Sequence, residues 1–188
     1  MTFSHFSTYL RKLEETASRN SMTEILAELF TYSAPSEIGK ICYLLQGRVG
    51  PLYDAVEFGI ADKFMIRAIA RACGVEAKQV IKAFKKMGDL GEVAENAKCS
   101  LQDKQMLNAK YSNNRPNISQ VYEKLSSIAT ASGEGSQEKK ITILADLLCS
   151  VDALSARYIA RIPLDKLRLG FSDMTILDAL SWMLVGDK

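Results

Sequence analysis

Apolar residues recur at intervals of three and four along almost the whole chain, and this helical periodicity is the feature that most limits its fold. No convincing run alternates apolar and polar residues between turn signals, so strands are not expected. The pattern predicts an all-α, compact multi-helix domain. The predicted helices span about 3–18, 23–32, 35–45, 62–73, 76–87, 89–98, 118–130, 137–148, 153–161 and 174–185.

A polar stretch from Ser100 to Asn117 contains Asn113, Asn114 and Pro116 and interrupts this periodicity. We interpret it as a loop, 100–117, that joins two helical subregions of about 1–99 and 118–188. A length of 188 residues with 47% hydrophobic content fits one domain with a substantial core. We therefore expect residues 1–188 to form a single domain and the protein to be a monomer.

Composition and motifs argue against several kinds of site. The cysteines (Cys42, Cys73, Cys99 and Cys149) lie far apart, and His5 is the one histidine, so neither a zinc site nor a histidine-based triad is expected. Phosphate-loop, dinucleotide and nucleophile-elbow motifs are absent from the sequence. No apolar run approaches the roughly 20 residues that span a bilayer, so we expect no membrane partner. A net charge of +2 does not by itself predict nucleic-acid binding.

Two glycines lead into a predicted helix in the segment A-S-G-E-G-S-Q-E-K-K, residues 131–140. Gly133 and Gly135 permit close backbone approach, and Ser136 is predicted to cap the helix. The N–H groups of the first turn favour an anion such as phosphate. Lys139 and Lys140 oppose the helix dipole there, and phosphate contact would explain their position. The alternative is an ordinary tight turn with solvent-facing lysines.

A second candidate lies between two predicted helices, in R-I-P-L-D-K-L-R-L-G, residues 161–170. Leucines alternate there with cations, so an extended loop would bury Leu164, Leu167 and Leu169 and present Lys166 and Arg168 outward, ahead of Gly170. That arrangement suits contact with a DNA groove or backbone, and its glycine weakly resembles a helix-hairpin-helix element. A solvated interhelical loop is the alternative.

Cations also lie on two predicted helices, at Lys63, Arg67 and Arg71 and at the lysines of helix 76–87. The apolar set of that helix is Ala77, Val80, Ile81 and Phe84. These cations could extend a positive surface, but a solvated helix face is the simpler interpretation.

Five blocks of sequence, in this order, resemble the N-terminal DNA-binding domain of ATP-dependent DNA ligases, and they cover nearly the whole chain. They are L-E-E-T at 13–16, G-I-A-D-K-F-M-I-R-A-I-A at 59–70, G-D-L-G-E-V-A-E-N-A-K at 88–98, S-G-E-G-S-Q-E-K-K at 132–140, and A-R-Y-I-A-R with K-L-R-L-G within 156–170.

The resemblance implies an all-helical domain that holds double-stranded, nicked DNA through the minor groove, with little sequence preference, during replication and repair. Its contact residues would be Gly133, Gly135, Ser136, Lys139, Lys140, Lys166, Arg168, Leu169 and Gly170. No cofactor is expected in this chain, whereas the parent enzyme would use ATP and Mg²⁺. The expected location is the cytoplasm, with the nucleoid, in a prokaryote and the nucleus in a eukaryote.

The sequence also departs from the family pattern. Asp165 stands where the family often has glycine, and an acid there would repel a phosphate unless it points away. The adenylated lysine of the K-x-D-G motif has no counterpart, so this chain alone should be inactive. Some relatives carry a sliding-clamp element in the region of loop 100–117. Here that loop offers K-Q-M-L at 104–107 without paired aromatics, which keeps the clamp as a possible partner.

Two other classes of function stay open from the residues. A helical protein-interaction module could use the same scaffold, although it would not need both the glycine-serine segment and the cationic loop. A helix-hairpin-helix base-excision enzyme would need a catalytic acid or lysine after its hairpin. Asp173 and Asp178 follow the loop but are interpreted as a cap and a surface residue.

Overall fold

The computed structural model describes residues 1–54, 56–105 and 115–186, without the side chains of 99–105. In these residues it has 3-10 turns at Leu52–Asp54 and Ile162–Leu164, no strands, and ten α-helices, which confirms the all-α prediction. The helices are α1 (Phe3–Glu14), α2 (Arg19–Thr31), α3 (Pro35–Leu45), α4 (Asp62–Cys73), α5 (Ala77–Met87), α6 (Leu90–Gln105), α7 (Ile118–Thr130), α8 (Ser136–Cys149), α9 (Ala153–Arg161) and α10 (Asp173–Val185). Within the described ranges, no helix is long and apolar enough to cross a membrane.

Capping residues set most helix boundaries where the sequence predicts them. Gly74 and Gly88 directly follow the predicted helices 62–73 and 76–87, where glycine is expected to end a helix, and they do end α4 and α5. Asp152 directly precedes the predicted helix 153–161, and the sequence predicts that it is the N-cap of that helix. It does cap α9, by accepting a hydrogen bond from the backbone N–H of Ser155 at 3.0 Å.

The boundary between the first two helices differs from the prediction. We expect the first helix to run to Ser18, but α1 ends at Glu14. The reason is that Ser18 caps α2, with its hydroxyl accepting from the N–H of Ser21 at 3.3 Å. The helix α6 also runs to Gln105, into the stretch predicted as a loop.

Helices from the two halves of the sequence pack against one another. Helix α6 packs on α9, α4 on α8, α2 on α10 and α3 on α7. Their apolar faces form one core, whose largest fully buried side chains include Tyr9, Tyr158, Phe3, Phe6 and Phe30. Helices on either side of the polar segment therefore share a core and fix one another's positions.

The buried faces of α5 and α10 are smaller than their periodicity predicts. On α5 only Val80 is buried, and Ile81 is 39% exposed. For helix 174–185 the periodicity predicts that the apolar face comprises Ile176, Leu177, Leu180, Met183 and Leu184. On α10, however, Leu177 and Leu184 are 56% and 76% exposed. Each helix packs at the edge of the domain by a narrow face, and periodicity does not reveal how much of an apolar face finds a neighbour.

Candidate nucleic-acid interface

The first candidate loop, residues 131–140, is called the glycine loop. Gly133 and Gly135 have positive φ values of 83° and 74°, a conformation that glycine adopts without strain. Gly135, not Ser136, is the N-cap of α8, so the predicted capping role of Ser136 is wrong. Ser136 is the first helical residue, and its N–H donates to the carbonyl of Gly133 at 3.2 Å. Because no side chain in the described residues caps this helix, its first turn is suited to an anion.

The two lysines of the glycine loop differ in their surroundings. Lys139 is exposed. Lys140 is half-buried, and its Nζ donates to the carbonyl oxygen of Phe58 at 2.7 Å. Nearby, Glu138 accepts from Arg67 at 2.6 Å and lies 3.7 Å from Arg71, so the positive charge of both arginines is partly balanced.

The second candidate segment, residues 161–170, begins with the last residue of α9 and continues into an interhelical loop, residues 162–171, which is called the leucine loop. Leu167 and Leu169 are 7% and 5% exposed, whereas Arg168 between them is exposed, as the alternating pattern predicts. Leu164, predicted to be buried as well, is only partly buried. Arg168 has a φ of 54°, which non-glycine residues rarely adopt. Since its two neighbours are anchored in the core, they hold the Arg168 side chain outward despite the local strain. Gly170 follows, also exposed.

Lys166 and Asp165 turn toward neighbouring elements. The Nζ of Lys166 lies 3.0 Å from Asp62 Oδ1 and 5.9 Å from the centre of the Phe84 ring, so Lys166 is not directed freely outward as predicted. Asp165 has left-handed backbone angles, φ 54° and ψ 42°. Its Oδ1 lies 3.6 Å from the position that a Cβ on Gly47 would take.

Arg48 is a cation that the sequence analysis misses. It lines a depression of about 350 Å³ together with Arg168 and Gly170. Its Nε donates to Gln46 Oε1 at 2.6 Å, and its Nη2 lies 3.9 Å from Asp173 Oδ1. In the sequence, Arg48 is recognisable only as an arginine in the glycine-containing break after α3. Its closeness to the leucine loop comes from the fold, because the two segments are distant in sequence.

Both loops are tied to residues 56–62, called the connecting segment. Lys140 of the glycine loop bonds to Phe58, and Lys166 of the leucine loop bonds to Asp62. Asp62 follows Phe58 by four residues, so the two attachment points are at most about 14 Å apart along extended chain. One helical turn of duplex DNA measures about 34 Å. The two loops are therefore close enough to meet a single duplex.

A buried cluster of charges supports the leucine loop. Arg161 is the last residue of α9 and is 3% exposed. Its Nη2 lies 3.1 Å from Oδ2 of Asp89, the residue before α6, and its Nη1 lies 2.9 Å from Oε1 of Glu14 on α1. The hydroxyl of Tyr158 donates to the other oxygen of Glu14 at 2.9 Å. The carbonyl of Arg161 in turn accepts from the N–H of Lys166 at 3.0 Å. The loop thus begins from a fixed point.

The pKa values of the two carboxyl groups in this cluster are shifted toward the charged form, and the pKa of Tyr158 is shifted toward the neutral form. Burial alone raises the pKa of Asp89, but hydrogen bonds from Arg161 and from the backbone N–H of Glu92 outweigh it and lower that pKa. The pKa of Glu14 is lowered in the same way, against its burial, by hydrogen bonds from Arg161 and Tyr158. Burial and the hydrogen bond to Glu14 raise the pKa of Tyr158, so its hydroxyl remains a donor.

Two further features considered in the sequence, the clamp segment and a metal site, can be compared with the structure only within the described residues. The clamp segment, 104–107, falls on side chains outside the described residues. For metal binding, the described part of the chain brings together no group of three or more histidine, cysteine, aspartate or glutamate side chains that could hold an ion.

These features define a class: an all-helical module with two neighbouring loops, one offering a helix N-terminus and the other an outward arginine, that are suited to bind anions. The sequence matches the family model described as DNA ligase N terminus over residues 2–181. Because that match covers almost the whole chain, this protein belongs to the DNA ligase N-terminal family.

Curated relatives agree with this assignment. The chain is 40% identical over 190 residues to "DNA ligase 2" of Thermofilum pendens, covering all of this chain and 32% of the relative. It is 40% identical over 191 residues to a "Probable DNA ligase" of Dictyoglomus thermophilum, covering all of this chain and 30% of the relative. A "DNA ligase" of Pyrobaculum islandicum is 38% identical over 182 residues, which is 96% of this chain and 31% of the relative. The chain thus spans about a third of the length of these relatives.

Proposed function

We propose that this chain binds double-stranded DNA at a nick, as the DNA-holding part of a DNA ligase in replication and repair. The observation that carries the proposal is Arg168, held outward by Leu167 and Leu169 next to exposed Gly170. A planar guanidinium on a fixed backbone suits a phosphate or the sugar-phosphate edge of a groove. Such contacts carry no base identity, so binding would show little sequence preference.

The glycine loop would supply the second contact. Gly133, Gly135 and Ser136 would bring backbone N–H groups to a phosphate, with Lys139 adding charge from the exposed side of α8. In the leucine loop, Leu169 and Gly170 would shape the backbone beside Arg168. Because both loops are tied to the connecting segment, we propose that they meet the same minor groove on two sides.

Lys140 and Lys166 would act differently from Arg168. Each already has a partner, the Phe58 carbonyl and Asp62 respectively. In this proposal each lysine exchanges that partner for a phosphate when DNA arrives. Their substitution would therefore weaken binding less than substitution of Arg168, since part of the gained contact replaces one that is lost.

Joining of DNA ends would require catalytic residues outside this sequence. In a longer ligase that contained this chain, adenylation by ATP with Mg²⁺ would belong to the domain carrying the K-x-D-G lysine. The role proposed for residues 1–188 is to hold the duplex while that chemistry proceeds.

Fluorescence anisotropy with a labelled nicked duplex tests the proposal. Affinity should fall steeply as salt rises, because bound phosphates release counterions. Arg168→Ala should weaken binding to every sequence alike and reduce the slope of log K against log salt by about 0.9, the value for one phosphate contact. Lys166→Ala should weaken binding in the same manner but less.

Lys12→Ala provides a control that removes the same charge. Lys12 is a half-exposed cation of α1 that contacts Tyr9 and Glu28 rather than either loop. Its substitution should leave the affinity nearly unchanged. An absence of DNA binding at any salt concentration would contradict the proposal and favour a protein-interaction module instead. Equal losses for Lys12→Ala and Arg168→Ala would contradict the assigned site.

A further inference from the structure

Two adjacent apolar side chains stand out from the surface ahead of the connecting segment. Leu52 and Tyr53, in the 3-10 turn Leu52–Asp54, are 79% and 88% exposed. No other large hydrophobic side chain in the described residues is as exposed as either of them. Single exposed apolar residues are common, but a neighbouring pair that remains this open marks a surface suited to a partner.

The turn lies beside the leucine loop. Leu52 lines a groove of about 640 Å³ whose other walls include Phe58 of the connecting segment and Leu164 and Asp165 of the leucine loop. Gln46, Gly47, Arg48 and Asp165 line both this groove and the depression that holds Arg168. The two concavities are therefore adjacent, and Leu52 borders the surface that carries the outward arginine.

The turn is anchored at its base while its tip is open. The hydroxyl of Tyr122, on α7, donates to the carbonyl of Val49 at 2.6 Å, and Val49 itself is buried. Within the turn, the N–H of Asp54 donates to the carbonyl of Pro51 at 3.2 Å. The apolar pair is thus presented from a bonded backbone, which lowers the entropy lost when a partner covers it.

The position of the turn identifies the class of partner. A duplex that touches both the glycine loop and the leucine loop would lie close to the connecting segment, because both loops bond to it. The turn ends at Asp54, two residues before that segment begins. The apolar parts of DNA accessible to such a turn are the deoxyribose faces that line the minor groove, and apolar side chains are known to enter that groove.

We propose that Leu52 and Tyr53 form an apolar contact with the deoxyribose rings of the bound duplex, beside the phosphate contacts of Arg168. This inference rests on the proposed function. The contact adds affinity without reading base sequence, since sugars are the same at every position. It also adds no ionic interaction, so its contribution is independent of salt.

The double variant Leu52→Ser with Tyr53→Ser tests the contact by anisotropy on the nicked duplex. Affinity should fall by about tenfold, the effect of losing two partly buried apolar contacts. The slope of log K against log salt should stay at its wild-type value, in contrast to the decrease expected for Arg168→Ala. Thermal unfolding should be unchanged, because both side chains are exposed in the free protein.

Tyr32→Ser is the matched control. Tyr32 is 67% exposed but lies at the C-terminal end of α2. Met22, near the other end of that helix, is the residue close to Gly170, which places Tyr32 about 15 Å farther along the axis. Its substitution should not alter affinity.

Two results would overturn the inference while leaving the proposed function intact. One is an unchanged affinity of the double variant when Arg168→Ala weakens binding. The other is a loss that Tyr32→Ser reproduces equally. If Arg168→Ala also has no effect, the site assigned to the leucine loop fails. If the wild-type protein does not bind the nicked duplex at any salt concentration, the proposed function itself fails, so these failures can be told apart.

Discussion

Backbone conformation in the leucine loop explains which residue types fit there. Asp165 adopts left-handed angles, which glycine adopts at no steric cost. We predict that Asp165→Gly stabilises the free protein by about 0.5–1 kcal/mol, because the relief of left-handed strain exceeds the entropy that glycine adds to the unfolded chain. It should also raise DNA affinity about threefold at low salt, by removing a negative charge beside Arg168. Thermal unfolding and anisotropy measure the two effects.

Asp165→Asn separates the two causes. Asparagine tolerates left-handed angles about as well as aspartate, so this variant removes the charge and leaves the backbone term nearly unchanged. Asp165→Asn should show the same increase in DNA affinity as Asp165→Gly but not the increase in the free energy of unfolding. A gain in affinity for the glycine variant alone would show that loop conformation, not charge, limits binding.

The sequence indicates the orientation of Arg168 but not the contacts of the lysines. Alternation of leucine and cation is local, and it correctly predicts buried Leu167 and Leu169 around an exposed arginine. The partner of Lys166 is 104 residues away and that of Lys140 is 82 residues away. Contacts at such separations depend on how helices pack, which no local pattern contains.

At the scale of elements, the crossing of α6 and α9 depends on Gly91. A Cβ at this position would lie 2.7 Å from the carbonyl oxygen of Arg157 and 2.7 Å from Cγ of Arg161. The helices must separate to accept it. We predict that Gly91→Ala lowers the free energy of unfolding by about 1–3 kcal/mol. It should also weaken DNA binding, because α9 leads directly into the leucine loop.

Gly39→Ala is the natural comparison for this prediction. Gly39 lies within α3, and an added Cβ there would meet nothing within 4 Å. Alanine should therefore stabilise the helix by up to about 1 kcal/mol. Chemical denaturation of both variants measures the contrast. Equal effects at the two glycines would show that the close approach at Gly91 is not the cause.

Most of the helices can be predicted from sequence, because caps and periodicity are local signals. Gly74, Gly88 and Asp152 end or begin helices as expected. The start of α8 is an exception, since a left-handed glycine takes the place expected for Ser136. The extents of the buried faces on α5 and α10 are also mispredicted, because burial depends on which helices lie beside them.

At the scale of the whole molecule, one cluster of charges joins three helices distant in sequence. Arg161 of α9 connects Glu14 of α1 with Asp89, the residue that precedes α6. The pKa values of both carboxylates are lowered in the folded state. A carboxyl group whose pKa is lowered by folding stabilises the fold at any pH above the pKa that it has in the unfolded chain. This stabilisation is lost as the pH falls through the pKa that it has in the folded protein. The free energy of unfolding should therefore decline as the pH falls below the ordinary pKa values of these groups, 4.5 for Glu14 and 3.8 for Asp89.

Glu14→Gln tests this linkage with a side chain of the same shape. Glutamine can still accept from Tyr158 but gives Arg161 no charge, so the variant should be less stable at neutral pH, by about 1–3 kcal/mol. As the pH falls and wild-type Glu14 takes up its proton, the two proteins should converge. Urea unfolding across the acid range measures the difference, with exposed Glu15→Gln as the control. A gap between wild type and Glu14→Gln that stays constant with pH would contradict the assignment, because an uncharged cause of the lost stability would not titrate.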